Sequence, residues 1–452
     1  MVEPQGRVVG STEHGWCSAV PGGTGIVVLA ILTSKPPETS KLETALHKLQ
    51  KSHPILRSRL HCDISTKSFS FSTSPTHFIK VKTFNLLSTL TILETNSSAQ
   101  NQSPLHLILE HELNQNTWSD SKMIVNDILF ATVYAVPDAK WAIVLRLHAA
   151  ACDRTTAVSL LKELLVAMVG DHEMEAGQVK GEISLAIEDL VPEGKCKKSL
   201  WVRGLDLLAY SVTSFKLTNL KFKDAKSARC SQVVRFQLSQ NETQKILQGC
   251  KTREIKLCSA LGAAGLIAAQ TTKSPLNKHR KYAIVNLTDC RSLLHPPLSD
   301  HHFGFYHSVI INTHVIKGGE NLWELAKKVY MEFANYKKCN RHFTDMADLN
   351  FLMCKAIENP SLTSSSSLRT SILSVFEDSV IEYSDNKKKE IGLEDYMGCA
   401  SAHGIAPSIA IFDTIRDGKL DCVCVYPSPL HSREQMQDFV DKLKGVLIDG
   451  CN

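Results

Sequence analysis

Apolar residues recur along the chain with the period of a helix in several segments. In Leu42–His53 they fall at Leu42, Ala45, Leu46 and Leu49, a spacing that places side chains on one face of a helix. The same spacing predicts helices over Thr155–Val169 and Asn321–Tyr336, and a run of small residues predicts another over Ser259–Gln270. Capping pairs, in which a serine precedes Glu or Gln by three residues, predict two further helix starts, at Ser239 and Ser432.

Between these helices lie short runs rich in β-branched and aromatic residues. Asp127–Val136 and Trp141–Leu147 are separated by a Pro-Asp turn and predict a β-hairpin. Ile409–Ile415 and Leu420–Val425 flank an Asp-Gly turn and predict a second hairpin. Because strands, hairpins and helices are mixed in both halves, the pattern predicts an α/β chain with mixed sheets and flanking helices.

Polar segments suggest where the chain divides. A chain of 452 residues is long enough for more than one domain. Asp171–Lys198 is polar and ends in PEGKCKK, which is typical of a crossover on the surface. We therefore predict an N-terminal domain over residues 1–190, a crossover or linker over 191–230, and a C-terminal domain over 231–452.

Composition and charge exclude several classes of partner. Lys and Arg number 51 against 46 Asp and Glu, a net charge of +5 without a basic stripe, so no nucleic-acid partner is expected. The apolar run Gly25–Leu32 is too short to span a bilayer, and no secretory signal opens the chain. We expect a cytoplasmic monomer with no membrane partner. The 14 cysteines form no CxxC pair, so neither a metal site nor a disulfide framework is predicted.

The most informative segment for chemistry is Leu147–Thr155, with the sequence LHAAACDRT, between a predicted strand and a predicted helix. His148 and Asp153 are its polar side chains with catalytic potential. Asp153 also suits the N-cap of the following helix, and a histidine at a strand end is often structural. From these residues alone, a structural and a functional interpretation both stand.

This loop resembles the active-site loop of the chloramphenicol acetyltransferase-like superfamily, which includes plant BAHD acyltransferases and the condensation domains of peptide synthetases. Their motif is HxxxD on a strand–loop–helix. Leu42–Leu60 resembles the first helix and HPxLRxR segment of these proteins, and Asn286–Tyr306 resembles the block that runs from D-x-R through Pro-Pro to Phe-Gly. Order and spacing agree across nearly the whole chain.

The resemblance implies two similarly built domains joined by a crossover, with an active-site channel between them. In the family, the histidine of HxxxD deprotonates an acceptor alcohol or amine, which attacks a thioester, usually of CoA. The aspartate is structural and is held by an arginine. Carried onto this chain, the resemblance implies a structural Asp153 paired with Arg291 of Asp289–Cys290–Arg291.

The match fails at the position of the base. The residue four before Asp153 is Ala149, so the catalytic histidine of the family is missing. His148 corresponds to the optional first histidine of a His-HxxxD form, and Arg154 replaces the usual glycine. A missing general base typically costs about 10²–10⁴ in rate.

Other side chains are candidates for the missing role. His148 is a tentative base, although neighbours on a strand point to opposite faces. His302, with His301 and His307, flanks Phe303–Gly304 and is a supporting candidate. Cys152 is a candidate nucleophile or a packing residue.

We expect transfer of an acyl group from a CoA thioester to the amine or hydroxyl of a small molecule, with a non-standard base. The alternative is a repurposed fold without acyl transfer, either a pseudoenzyme that binds a small molecule or a lyase or cyclase. No tightly bound cofactor is expected; acyl-CoA would be a co-substrate, and the small-molecule acceptor would be the other partner.

Overall fold

The computed structural model describes residues 6–63, 65–96, 102–120, 124–170, 183–271, 279–362, 367–382 and 389–451. The chain divides into two compact units. The first comprises Met1–Leu190, Arg291–Tyr306 and Ser384–Ser401, and the second comprises Val191–Cys290, His307–Tyr383 and Ala402–Asn452. Residues 171–182 of the predicted crossover lie outside the described residues.

The first unit contains two sheets and the helices that cover them. Its strands are β1 (Gly6–Val8), β2 (Thr24–Thr33), β3 (Ser58–Asp63), β4 (Ser68–Thr73), β5 (Val81–Phe84), β6 (Val125–Asp127), β7 (Leu129–Val136), β8 (Lys140–His148) and β14 (Leu393–Ala402). Its helices are α1 (Ser11–Ala19), α2 (Thr39–Ser52), α3 (Leu86–Asn96), α4 (Pro104–Leu113), α5 (Arg154–Val169) and α6 (Ile187–Leu190). One sheet has the order β14-β2-β8-β7-β5, and the other has the order β1-β4-β3-β6.

The predicted first hairpin is present as β7 and β8, and it places the motif. Asp138 and Ala139 both adopt positive φ, at 61° and 51°, the conformation that a tight two-residue hairpin turn requires. The hairpin pairs Leu129 with Leu147, so β8 delivers His148 at the end of a buried strand. The predicted helix after the motif is α5, whose inner face buries Leu160 and Leu164.

The second unit is built on one mixed sheet. Its strands are β9 (Cys230–Gln237), β10 (Arg280–Asp289), β11 (His307–Ile316), β12 (Leu373–Phe376), β13 (Val380–Glu382), β15 (Ile409–Arg416) and β16 (Lys419–Ser428), in the order β11-β10-β12-β15-β16-β9 with β13 beside β15. Its helices are α7 (Leu200–Phe215), α8 (Gln240–Thr252), α9 (Leu257–Thr271), α10 (Leu322–Lys338), α11 (Arg341–Thr344), α12 (Met346–Glu358) and α13 (Arg433–Asp449).

Local signals account for much of this second unit. Ser239 and Glu242 form the predicted capping box of α8, and Ser432 accepts a hydrogen bond from the backbone N–H of Gln435 at the start of α13. The small residues of α9 allow it to pack closely against the sheet. They include Gly265, where an added Cβ would lie 2.3 Å from Leu373. The predicted α/β class, with mixed sheets and flanking helices, is therefore confirmed.

The two compact units each comprise several segments of the chain and interleave in sequence. Arg291–Tyr306 belongs to the first unit because it bonds to the start of α5, and Ser384–Ser401 belongs there because β14 pairs with β2. The predicted linker over 191–230 contains a 16-residue helix, α7. The predicted domain boundaries, 1–190, 191–230 and 231–452, stay a prediction. None of the helices in the described parts of the chain combines the length and apolar character that crossing a bilayer requires.

Candidate active site

The motif occupies the transition from β8 to α5. The strand ends at His148, a single 3-10 turn covers Ala149–Ala151, and α5 begins at Arg154. Asp153 is the N-cap of α5, and its side chain accepts a hydrogen bond from the backbone N–H of Thr156 at 2.8 Å. That bond satisfies one of the donors that a helix start leaves without an intrahelical partner.

Asp153 also forms the predicted ion pair. Its Oδ2 lies 2.9 Å from Nη1 of Arg291, and its Oδ1 accepts from Nη2 of Arg291 at 3.0 Å. The backbone N–H of Tyr306 donates to Oδ2 at 2.8 Å. Asp153 and Arg291 are only 4% and 3% exposed. A carboxylate with this many donors at such burial stabilises the local structure.

A threonine that the sequence reasoning missed completes this arrangement. The Thr156 hydroxyl donates to the carbonyl of Gly304 at 2.9 Å and accepts from Arg291 at 3.0 Å. The backbone N–H of Asp153 donates to the same Gly304 carbonyl at 3.1 Å. Segment Arg291–Tyr306 is therefore bonded to the first turn of α5 through both side chains and backbone.

Ala149, at the position of the missing base, faces a tightly packed neighbourhood. It is 3% exposed. A Cβ placed on Gly25 would lie 2.9 Å from the Cβ of Ala149 and 2.9 Å from the ring of Trp16. The Trp16 ring in turn lies 5.1 Å from the ring of Phe305. The small residues at 25 and 149 thus meet beside an indole, and the sequence offered no local signal for Trp16 in this role.

His148 is buried beside the turn. It is 1% exposed, and its Nδ1 accepts from the backbone N–H of Ala150 at 3.1 Å. Its ring meets Trp118 edge-on at 5.2 Å. Burial lowers the pKa of His148 to about 3, because the charged imidazolium is poorly solvated there. A group of such low pKa is a weak base, so this environment disfavours His148 as the catalytic base. The assignment of His148 as a tentative base stays a prediction.

The other candidates lie in different settings. Burial raises the pKa of the Cys152 thiol well above its usual value, with a smaller contribution from the charge of Asp153, and this disfavours a thiolate nucleophile. The Nδ1 of His302 accepts from the backbone N–H of Ser299 at 3.1 Å. The carbonyl of His302 accepts from Arg291. His302 therefore supports the turn that carries the arginine, while His307 is buried at the start of β11 in the second unit.

Two histidines, His53 and His301, contact Glu163 of α5. Oε2 of Glu163 lies 2.6 Å from Nε2 of His53, and Oε1 lies 3.0 Å from Nδ1 of His301. The ring of His53 stacks on Phe303 at 3.6 Å. Burial would raise the pKa of Glu163, but its hydrogen bonds to the two histidines and their charges outweigh burial and lower it. His53 stands in the HPxLRxR segment, whose resemblance could have drawn attention to it.

In the second unit, the buried Arg369 holds the loop that includes Ala402–Pro407. Arg369 donates to the carbonyls of Ala402 at 2.9 Å and Pro407 at 2.7 Å. The neighbouring His403 bonds to the Ser231 hydroxyl through Nδ1 at 3.0 Å. Within the described residues, no group of three or more His, Cys, Asp or Glu side chains is arranged to hold a metal ion.

No family model matches the sequence, and the search of curated proteins also found no match. Solved structures do match. The TRI3 trichothecene 15-O-acetyltransferase from Fusarium sporotrichioides superposes with a TM-score of 0.72 at 12% identity, covering 98% of this chain and 95% of that one. The EpoB cyclization-docking bidomain from Sorangium cellulosum gives a TM-score of 0.69 at 11% identity, covering 99% and 85%.

Polyketide synthase associated protein 5 from Mycobacterium tuberculosis gives a TM-score of 0.64 at 13% identity, covering 99% of this chain and 97% of that one. Identities this low carry the fold and not the activity. The similarity nevertheless covers 98–99% of this chain and 85–97% of the other three. The protein therefore has the chloramphenicol acetyltransferase-like fold that its motifs predict.

Proposed function

We propose that this protein transfers an acyl group from a thioester, with CoA as the expected carrier, to a small-molecule amine, and that it does so without a histidine base in its motif. One observation carries the proposal: the scaffold around Asp153 is retained, while a buried methyl group occupies the position of the base. The likeness to an acetyltransferase supports acyl transfer as the type of reaction.

The acceptor class follows from proton accounting. An alcohol attacks a thioester poorly unless a base removes its proton, so the absence of a base costs about 10²–10⁴ in rate. A neutral amine attacks the thioester carbonyl with its lone pair, and the C–S bond then breaks to release the thiolate. The proton that the nitrogen loses passes to the thiolate or to water. Holding amine and thioester together supplies the remaining acceleration, which can reach several kcal/mol.

A second candidate function has its own support. The packing of Ala149, Gly25 and Trp16 leaves Ala149 only 3% exposed, which leaves little room for an acceptor group at this position and so favours a fold that does not transfer an acyl group. A cyclization domain is among the proteins that share the fold, so a cyclase or lyase step belongs to this alternative.

The experiment measures free thiol released from a panel of acyl-CoAs. Each donor is combined with mixed amines, with mixed alcohols, or with no acceptor, and heat-denatured protein serves as the blank. We expect thiol release above the blank with amines only. No release with any acceptor, together with saturable binding of small molecules, would establish the second candidate instead.

A further inference from the structure

Helix α7 presents its apolar side to the solvent. Trp201 is 85% exposed, Leu205 and Leu208 are 64% exposed, and Val212 is 52% exposed. These positions are spaced by four, three and four residues, which places them on one face of a helix. Gly204 adds no cover, since a Cβ there would meet nothing within 4 Å. An exposed apolar face of this length indicates a surface that binds a membrane or another molecule.

The polar side of α7 is fixed to the second unit. Nε of Arg203 lies 2.6 Å from Oδ1 of Asp348, and the Tyr210 hydroxyl donates to Asp345 at 2.5 Å. Lys198, just before the helix, pairs with Asp345 at 2.8 Å and with Asp348 at 3.0 Å. The two aspartates are 2% and 1% exposed. Turning the helix over would remove Arg203 from Asp348 and Tyr210 from Asp345, so these bonds favour the orientation that leaves the apolar face outward.

The exposed charges that flank this helix in the sequence are mostly positive. Lys195 and Lys197 precede the helix and Lys216 follows it, against one exposed acidic residue, Glu193. The acidic residue of the helix itself, Asp206, pairs with Lys198 at 2.5 Å. An apolar face bearing a tryptophan and flanked by basic side chains matches the boundary of an anionic bilayer, where acyl chains lie beneath negative headgroups.

Charge and sequence argue against two other occupants. In a pair of antiparallel copies, Lys195 and Lys197 of one helix would approach Lys216 of the other, and like charges would oppose the contact. The segments that the structure does not describe are polar in sequence, for example DHEMEAGQVKGE at 171–182. These polar segments do not supply a complementary apolar surface.

We propose that α7 lies on an anionic phospholipid surface, with the face defined by Trp201, Leu205, Leu208 and Val212 inserted at the headgroup boundary. The sequence-based expectation of no membrane partner rested on the absence of a spanning segment. A helix that lies in the plane of the interface needs none.

The test is co-sedimentation of the full chain with phosphatidylcholine vesicles and with vesicles that also contain phosphatidylserine. The variant Leu205→Ser/Leu208→Ser removes apolar area from the face. The matched control, Leu87→Ser, removes a leucine that is 75% exposed on α3. Near-ultraviolet circular dichroism establishes that each variant is folded.

We expect binding to the phosphatidylserine vesicles that weakens as salt rises. Affinity should fall about tenfold or more in the double variant and should be unchanged in the control. Absence of binding to these vesicles, or equal binding by the double variant, would overturn the proposal. So would a dimer in solution that the double variant converts to a monomer, because that result places a second copy on the face.

Discussion

Two neighbouring parts of the motif differ in the contacts that their side chains make. Around Asp153, a buried carboxylate accepts hydrogen bonds from Arg291, Thr156 and Tyr306. Around Ala149, only four residues earlier, a methyl group packs beside Gly25 and Trp16. The first part joins Arg291–Tyr306 to α5, and the second part is the position that the family resemblance assigns to the base.

The aspartate and position 149 therefore differ in what they contribute to the fold. The aspartate serves the fold, because its partners belong to segments distant in sequence that it holds together. Ala149 is not among the partners of Asp153, so the bonds around the aspartate do not require a histidine at position 149. Retention of the fold is therefore no evidence for retention of base catalysis.

The largest expected effect is on the Asp153 side. Asp153→Ala leaves the Arg291 guanidinium buried without its partner, and the free energy of unfolding should fall by about 3–5 kcal/mol. Urea denaturation of the variant measures this loss. The control is Asp127→Ala, which removes an exposed ion pair with Arg59 and should cost about 1 kcal/mol or less. Equal losses in the two variants would mean that Asp153 contributes no more to the stability of the fold than an exposed ion pair does.

A smaller loss is expected on the Ala149 side. Gly25 adopts φ +93° with no room for a Cβ, so Gly25→Ala combines backbone strain with overpacking and should cost about 2–4 kcal/mol. Gly194→Ala is the control, because Gly194 has φ +82° but open space around it. The control should show the strain alone. If both variants lose the same stability, Ala149 and Trp16 do not crowd this site.

Much of the first part could be read from the sequence. Local periodicity predicted α5 and the hairpin of β7 and β8, because each depends on residues close together in the chain. The pair of Asp153 and Arg291 is separated by 138 positions, and only the family resemblance indicated it. No local pattern encodes a contact at that separation.

What sequence reasoning missed has a common physical reason. The burial of His148 and the approach of Trp16 to Ala149 depend on tertiary packing between segments. The orientation of α7 was also hidden, although its apolar spacing is visible in the sequence, because periodicity shows that a helix has an apolar face and not which way the face points. The ion pairs of Asp345 and Asp348 decide that.

A still smaller effect concerns pH. His148 has a pKa lowered by burial to about 3, so the unfolded chain binds a proton at this residue before the folded chain does. Stability should therefore fall as pH decreases from about 6.5 towards 3. His148→Asn keeps an acceptor for Ala150 and removes the titrating group. The slope of unfolding free energy against pH in this range should become shallower by up to about 1.4 kcal/mol per pH unit.

A slope identical to that of the wild type would mean that His148 is protonated equally in both states and is not buried as described. The remaining acid sensitivity belongs to other buried histidines, such as His314 and His431, whose pKa values burial lowers to about 4.

We propose that acyl transfer by this protein uses no histidine of the motif. The most direct measurement is kcat/KM for thiol release from acyl-CoA with the best amine acceptor, in the wild type and in His148→Asn, with folding verified by circular dichroism. We expect the wild type to release thiol and kcat/KM to change by less than about threefold in the variant, because a buried imidazole of low pKa does not take the proton. No release by the wild type, or a loss of about 10² or more in the folded variant, would contradict it.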